Sequence, residues 1–189
     1  MEIIEAIYWK KCNVLDILNN LNITFVNNGS LSQSNIACFL SHRLAWQKIL
    51  DNKDNLSIIL EDDMDLLNFQ LFLDTQKQIL DLDYYDGIIM WRHPENFPQN
   101  LKHISDNLIE YYFQWGLCAY HIKPNLCQEM LNINNIDAPI DDYVYRNIFP
   151  NYKMYFTDKD LFFNQGFIKF KSNISNYIPP NYIHISNDL

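Results

Sequence analysis

Glycine is scarce in this chain. The 189 residues include four glycines, each isolated from the others. The sequence therefore contains neither a G-x-G-x-x-G fingerprint nor a Walker A loop, which excludes a dinucleotide enzyme of the usual kind and a P-loop NTPase. Positively charged residues are also few. The chain has 14 Lys and Arg against 23 Asp and Glu, which gives a net charge of −9. This balance disfavours a protein that binds nucleic acid through its phosphates.

The four cysteines are dispersed, and none belongs to a C-x-x-C pair. Neither a zinc knuckle nor a redox dithiol is predicted, and each thiol is expected to be buried and free. The N-terminal residues have no basic region followed by a long apolar run, and no apolar run approaches the ~18 residues of a membrane span. These absences predict a cytoplasmic protein without a signal peptide or transmembrane helix.

Strand and helix signals alternate along the chain without a linker or repeat. Ser32 can N-cap a helix that runs through Leu50, and the short apolar run Leu56–Leu60 predicts a buried strand. Further helices are predicted at Phe69–Leu80, Pro124–Leu131 and Ile140–Ile148. This order predicts one α/β domain over residues 1–175, with a mainly parallel central sheet flanked by helices, and a C-terminal tail over residues 176–189.

An acidic cluster follows the predicted strand Leu56–Leu60. Glu61, Asp62 and Asp63 are consecutive, and Asp65 comes two residues later. In open α/β sheets, ligands bind beyond the carboxyl ends of the strands. Four acids within five residues repel one another unless a cation binds them, and Mg²⁺ or Mn²⁺ takes such oxygen ligands together with substrate phosphates. The pattern favours a metal–diphosphate site, and a solvated acidic turn is the alternative.

A second motif precedes the acidic cluster. Ile36, Cys38, Ser41, His42 and Trp46 follow the order I-x-C-x-x-S-H-x-x-x-W. Together with the later E-D-D, this order resembles glycosyltransferase family 25, which includes bacterial lipooligosaccharide galactosyltransferases, collagen hydroxylysine galactosyltransferases and viral relatives. The resemblance covers roughly residues 30–175, although Ala replaces the usual Gly at position 37. Its weaker segments are 116–122, 138–143, 163–165 and 171–174.

The resemblance implies a GT-A type fold and an activity. The expected reaction is inverting, metal-dependent transfer of a hexose, galactose from UDP-galactose, to a saccharide or hydroxylysine acceptor. In this interpretation Asp63 binds Mn²⁺ or Mg²⁺ directly and Asp65 is a second metal ligand. Glu61 and Asp62 would hold the ribose or metal-bound waters.

Four further residues receive roles. His42 and Ser41 are expected at the donor site, with structural roles as their alternatives. An inverting transferase needs a carboxylate that deprotonates the acceptor hydroxyl, and Asp141 is the candidate, with Asp142 as its rival. Alternatively, either aspartate simply N-caps the predicted helix Ile140–Ile148.

One element of the family pattern has no counterpart in the sequence. Family members begin with a strand resembling V-I-N-L-x-R, whereas residues 4–7 resemble the element after it. The sequence therefore leaves open a shortened member or an inactive, fragmentary binding module. A metal-dependent phosphoesterase or nuclease is a third alternative, which the acidic charge and the absence of a second ligand cluster disfavour.

Overall fold

The structure, a computed structural model, describes residues 2–26, 31–91, 101–111, 116–164 and 182–186. The helices are α1 (Val14–Asn20), α2 (Gln33–Asn52), α3 (Phe69–Leu80), α4 (Pro124–Leu131) and α5 (Ile140–Asn147), with a 3₁₀ turn at Phe149–Asn151. The strands are β1 (Glu2–Glu5), β2 (Thr24–Phe25), β3 (Ser57–Glu61), β4 (Met64–Leu66), β5 (Gly87–Ile89), β6 (Leu108–Glu110), β7 (Ala119–Ile122), β8 (Asn135–Ile136), β9 (Met154–Thr157), β10 (Phe162–Asn164) and β11 (Tyr182–Ser186). The family-like segment 171–174 and residue Gln165 lie outside the described residues.

Seven strands form the central sheet, in the order β1-β11-β3-β7-β5-β9-β6. Strands β1, β3, β5 and β9 run in one direction, and the three others run in the opposite direction. The α/β class is confirmed, but the sheet is mixed rather than mainly parallel. The reason is that β11 and β7 lie between strands of the common direction, so that β5 and β9 form the one adjacent parallel pair of this sheet in the part of the chain described.

Two apolar cores cover the two faces of this sheet. Successive residues of β3 point to opposite faces, so Ile59 packs with α2, α4 and α5 whereas Ile58 packs on the side of α3. Two shorter sheets lie outside it, one pairing β2 with β8 and the other pairing β4 with β10. No described helix is both long and apolar enough to cross a membrane.

The strand β11 belongs to the segment 176–189, which was predicted as a C-terminal tail. Its register places Ile183 opposite Ile4 of β1 and Glu61 of β3. Part of the predicted tail therefore forms an inner strand of the central sheet. Cys12 also differs from its prediction, because it is exposed rather than buried.

Helix α2 begins at the predicted N-cap. The Ser32 hydroxyl accepts a hydrogen bond from the Asn35 amide, and the Asn35 side chain accepts one from the Ser32 amide, which completes a capping box. The helix continues to Asn52, two residues beyond the prediction, and Lys53 ends it in the left-handed conformation. Residues spaced four apart share a helix face. Cys38 and His42 of α2 have this spacing, and both lie near the end of β3.

Candidate active site

A pocket of about 230 Å³ lies where β3 ends and the segment before β7 begins. Helices α2 and α5 close its other sides. The residues that line it include Cys38, His42, Glu61, Gly116, Cys118 and Asp141. The structure therefore brings together three residues that were predicted for the site from distant parts of the sequence, namely His42, Glu61 and Asp141.

His42 is held on both sides of its ring. Its side chain is 1% exposed, and Nε2 lies 3.3 Å from Glu61 Oε1. On the other side, Nδ1 lies 3.0 Å from the Tyr120 hydroxyl, which also accepts a 2.8 Å hydrogen bond from Trp46 Nε1. The Trp46 indole stacks on the His42 ring at a centroid distance of 6.0 Å. These contacts fix the imidazole against the carboxylate at the end of β3.

Tyr120 is the residue of this network that sequence reasoning missed. It lies on β7, where an aromatic residue in an apolar strand indicates only a core position. Burial raises the pKa of Tyr120 well above its ordinary value, so the phenol stays neutral and serves as a hydrogen-bonding group. Pairing between Tyr120 and Ile59 of β3 places it beside the pocket.

Two thiols also line the pocket. Cys38 lies one helical turn before His42, and Cys118 immediately precedes β7. Burial, followed by the negative charges of Glu61 and Asp141, raises the pKa of the Cys38 thiol. Burial and the nearby Glu61 carboxylate likewise raise the pKa of Cys118. Sequence reasoning treated both as core thiols, because their proximity depends on the approach of α2 to β7.

Asp141 and Asp142 have different surroundings although they are adjacent. Asp141 Oδ2 accepts a 2.9 Å hydrogen bond from the Gly116 amide, at the rim of the pocket. Asp142 instead forms a bidentate ion pair with Arg146, at 3.0 and 2.8 Å. The alternative interpretation, in which one of them N-caps α5, is wrong. Pro139 occupies that position and makes no side-chain cap, and α5 ends at Asn147.

Gly116 adopts a conformation that other residues disfavour. Its φ is +94°, and a Cβ added there would lie 2.2 Å from Trp91 Cζ3. The backbone can therefore pass beside the Trp91 ring and present its amide to Asp141 only because residue 116 has no side chain.

The remaining predicted residues lie at different places. Asp62 and Asp63 form the turn between β3 and β4, and both are half-buried. Asp65 is exposed on β4, opposite Phe163 of β10. Ser41 is buried, and its Oγ donates to the Ala37 carbonyl at 2.7 Å and accepts from the Ile7 amide at 2.9 Å. These bonds tie α2 to the segment after β1, and the donor-site role of Ser41 stays a prediction.

The site combines two kinds of donor atom. The acidic turn supplies carboxylate oxygens, which suit a hard divalent cation. Cys38, His42 and Glu61 each offer one ligand atom, and these atoms lie within 4.8 Å of one another. The fold and site thus define an α/β protein with an acidic ligand pocket at the carboxyl end of a central strand.

Comparison with known proteins identifies the family. Residues 1–144 match the family model described as glycosyltransferase family 25 (LPS biosynthesis protein), and the chain belongs to this family. Human procollagen galactosyltransferase 2 is 25% identical over 183 residues of alignment, which covers 85% of this chain and 28% of that protein. The chain therefore spans less than a third of the length of this curated relative. The resemblance inferred from the motifs is confirmed.

Proposed function

We propose that this chain transfers a hexose, galactose from UDP-galactose, to a saccharide or hydroxylysine acceptor with inversion and with a divalent metal ion. Family membership supports glycosyl transfer, and the name of the human relative supports galactose as the transferred sugar. The observation that carries the proposal is the pocket shared by Glu61 and Asp141, next to the acidic turn.

The acidic turn is the proposed metal site. Asp63 would bind Mn²⁺ or Mg²⁺, Asp65 would be a second ligand, and Glu61 and Asp62 would hold the ribose or metal-bound waters. Carboxylate oxygens are the donors that these ions prefer, so the residue types fit. When bound, the ion supplies positive charge that neutralises the leaving diphosphate. In this proposal, His42 orients the Glu61 carboxylate through the contact at 3.3 Å.

Asp141 is the proposed general base. The acceptor hydroxyl oxygen would attack the anomeric carbon as the bond to the diphosphate breaks, and the hydroxyl proton would pass to the carboxylate. The hydrogen bond from the Gly116 amide fixes Oδ2, and Oδ1 makes no hydrogen bond to a described residue. This arrangement favours Asp141 over Asp142, whose two oxygens are engaged by Arg146.

Ligand-dependent stabilisation tests the donor site. UDP and UDP-galactose are titrated with and without Mn²⁺ while the unfolding temperature is recorded. We expect a rise that needs both nucleotide and metal, because a ligand that binds only the folded state stabilises it. Asp63→Ala should abolish the metal-dependent part. Absence of any shift at millimolar ligand would contradict donor binding, and a shift without detectable transfer would favour the inactive binding module.

A further inference from the structure

We propose that Cys38, His42 and Glu61 form a binding site for a borderline-soft divalent cation such as Zn²⁺. This site shares Glu61 with the oxygen-ligand site at the acidic turn but uses none of its aspartates. The inference depends on the geometry of these three side chains and does not require the transferase activity. It assigns a function to the Cys38 thiol, which the proposed reaction does not use.

The ligand types fit zinc. Zn²⁺ binds cysteine sulfur, histidine nitrogen and carboxylate oxygen with tetrahedral geometry, whereas Mg²⁺ and Mn²⁺ prefer oxygen. Cys38 and His42 are four residues apart on α2, the spacing at which helical metal motifs present two ligands on one face. Glu61 supplies the third ligand from the end of β3. A cation held by all three would cross-link the helix to the central sheet.

The distances also fit. Two ligands that each lie about 2.0–2.1 Å from a tetrahedral Zn²⁺ are separated by about 3.3 Å. His42 Nε2 and Glu61 Oε1 already lie 3.3 Å apart, and Cys38 completes a set within 4.8 Å. The three residues line the same pocket, which gives a cation access to them.

The surroundings of His42 support the assignment. A histidine that binds metal through one ring nitrogen usually donates its other N–H to a nearby oxygen, which fixes the ring. The Tyr120 hydroxyl lies 3.0 Å from Nδ1, so Nε2 is the nitrogen directed toward Glu61 and the pocket. Trp46 holds that hydroxyl in turn through its 2.8 Å hydrogen bond.

Cobalt spectroscopy tests the proposal. Co²⁺ replaces Zn²⁺ in such sites, and a thiolate ligand gives a charge-transfer band in the near ultraviolet. We expect this band to saturate at one Co²⁺ per chain and to disappear when Zn²⁺ is added. Cys38→Ser should remove the band and weaken Co²⁺ binding at least about 100-fold, since loss of a ligand exceeds the 10–100-fold effect of losing an outer partner. Cys12→Ser, which alters an exposed thiol, is the matched control and should retain the band.

Two further measurements keep the test decisive if Cys38→Ser folds poorly. In the unmodified protein, Zn²⁺ should slow alkylation of Cys38 and leave that of Cys12 unchanged, as mapped by mass spectrometry. Asp63→Ala should lose Mn²⁺-dependent nucleotide binding and keep the cobalt band, which separates failure of this site from failure of the proposed transferase site. The proposal would be overturned if the cobalt band disappeared in Cys12→Ser but persisted in Cys38→Ser. Equal rates of Cys38 alkylation with and without Zn²⁺ would also overturn it.

Discussion

The carboxylate of Asp141 accepts a 2.9 Å hydrogen bond from the main-chain amide of Gly116, and this contact joins the first turn of α5 to the segment before β7. An asparagine can accept the same hydrogen bond through its side-chain oxygen, but it cannot act as a base. The contact therefore permits a substitution that changes the chemistry of residue 141 and preserves its position.

The first prediction follows from that difference. Asp141→Asn should leave the unfolding temperature and the Mn²⁺-dependent binding of UDP unchanged, and should lower kcat by about 10²–10⁴-fold, the usual contribution of a general base. Asp142→Asn is the matched control and should retain transfer, because it removes an i,i+4 pair worth less than about 1 kcal/mol. A steady-state assay that measures kcat for both variants decides which aspartate is the general base. Equal rates for Asp141→Asn and the unmodified protein would remove Asp141 from the mechanism.

The second prediction concerns the hydroxyl that holds His42. Tyr120→Phe deprives Trp46 Nε1 and His42 Nδ1 of a buried partner, and each such loss costs about 1–3 kcal/mol. We expect the free energy of unfolding to fall by about 2–4 kcal/mol in a urea titration. Tyr155→Phe is the control, since this buried tyrosine has no side-chain hydrogen bond to a described residue. Similar losses in the two variants would mean that the network contributes little.

The third prediction concerns the glycine beside the Trp91 ring. Gly116→Ala adds a Cβ that clashes with the ring and forces alanine into φ +94°, so stability should fall by at least about 2 kcal/mol. Gly87→Ala should cost less, because its Cβ would meet the flexible end of Met154. In the Gly116→Ala background, Trp91→Leu should recover part of the loss by relieving the clash. Failure of Trp91→Leu to recover any stability would assign the whole effect to the backbone conformation.

The fourth prediction concerns pH. His121 is fully buried on β7, and its two ring nitrogens have no hydrogen-bond partner in the described part of the chain. Burial, with a smaller contribution from Lys123, lowers its pKa from 6.5 to about 3. The imidazole is therefore neutral in the folded state and becomes protonated first in the unfolded state.

Because the unfolded state takes up the proton at a higher pH than the folded state, acid lowers the stability of the fold. Stability is fully present above pH 6.5 and declines as the pH falls from 6.5 toward 3, by about 2 kcal/mol between pH 7 and pH 5 from this group alone. His121→Leu should remove this component and flatten the pH dependence of the urea midpoint over that range. An unchanged slope in the variant would show that His121 is protonated or solvated in the folded state.

Local signals predicted the helices well. The capping side chain of Ser32, the proline at the start of α4 and the apolar period of α3 each depend on neighbouring residues, and the predicted bounds Phe69–Leu80 and Pro124–Leu131 agree with the structure. The apolar run at Leu56–Leu60 indicated β3, which lies one residue further along. The strands β4, β8 and β11 were missed, because β4 and β8 have only three and two residues and β11 lies in a segment interpreted as a polar tail.

Proximity across the sheet was harder to predict. The motif residues His42 and Glu61, which are 19 positions apart in the sequence, meet at the end of β3. The contacts of Tyr120 and Cys118 arise because β7 pairs antiparallel with β3, which no local pattern indicates. Likewise, adjacent Asp141 and Asp142 are equivalent in the sequence, and only the approach of Gly116 to one and of Arg146 to the other distinguishes them.

The position of β11 has a consequence for synthesis on the ribosome. Strand β1 is translated before its partner in the sheet, which is Tyr182–Ser186. The nascent β1 therefore has no partner strand until nearly 180 further residues have been added. Closing so long a loop is slow, because its entropic cost comes before any contact compensates it. We expect the region around α2 and β7 to become protease-resistant first on stalled ribosomes, with β1 protected only after β11 has emerged.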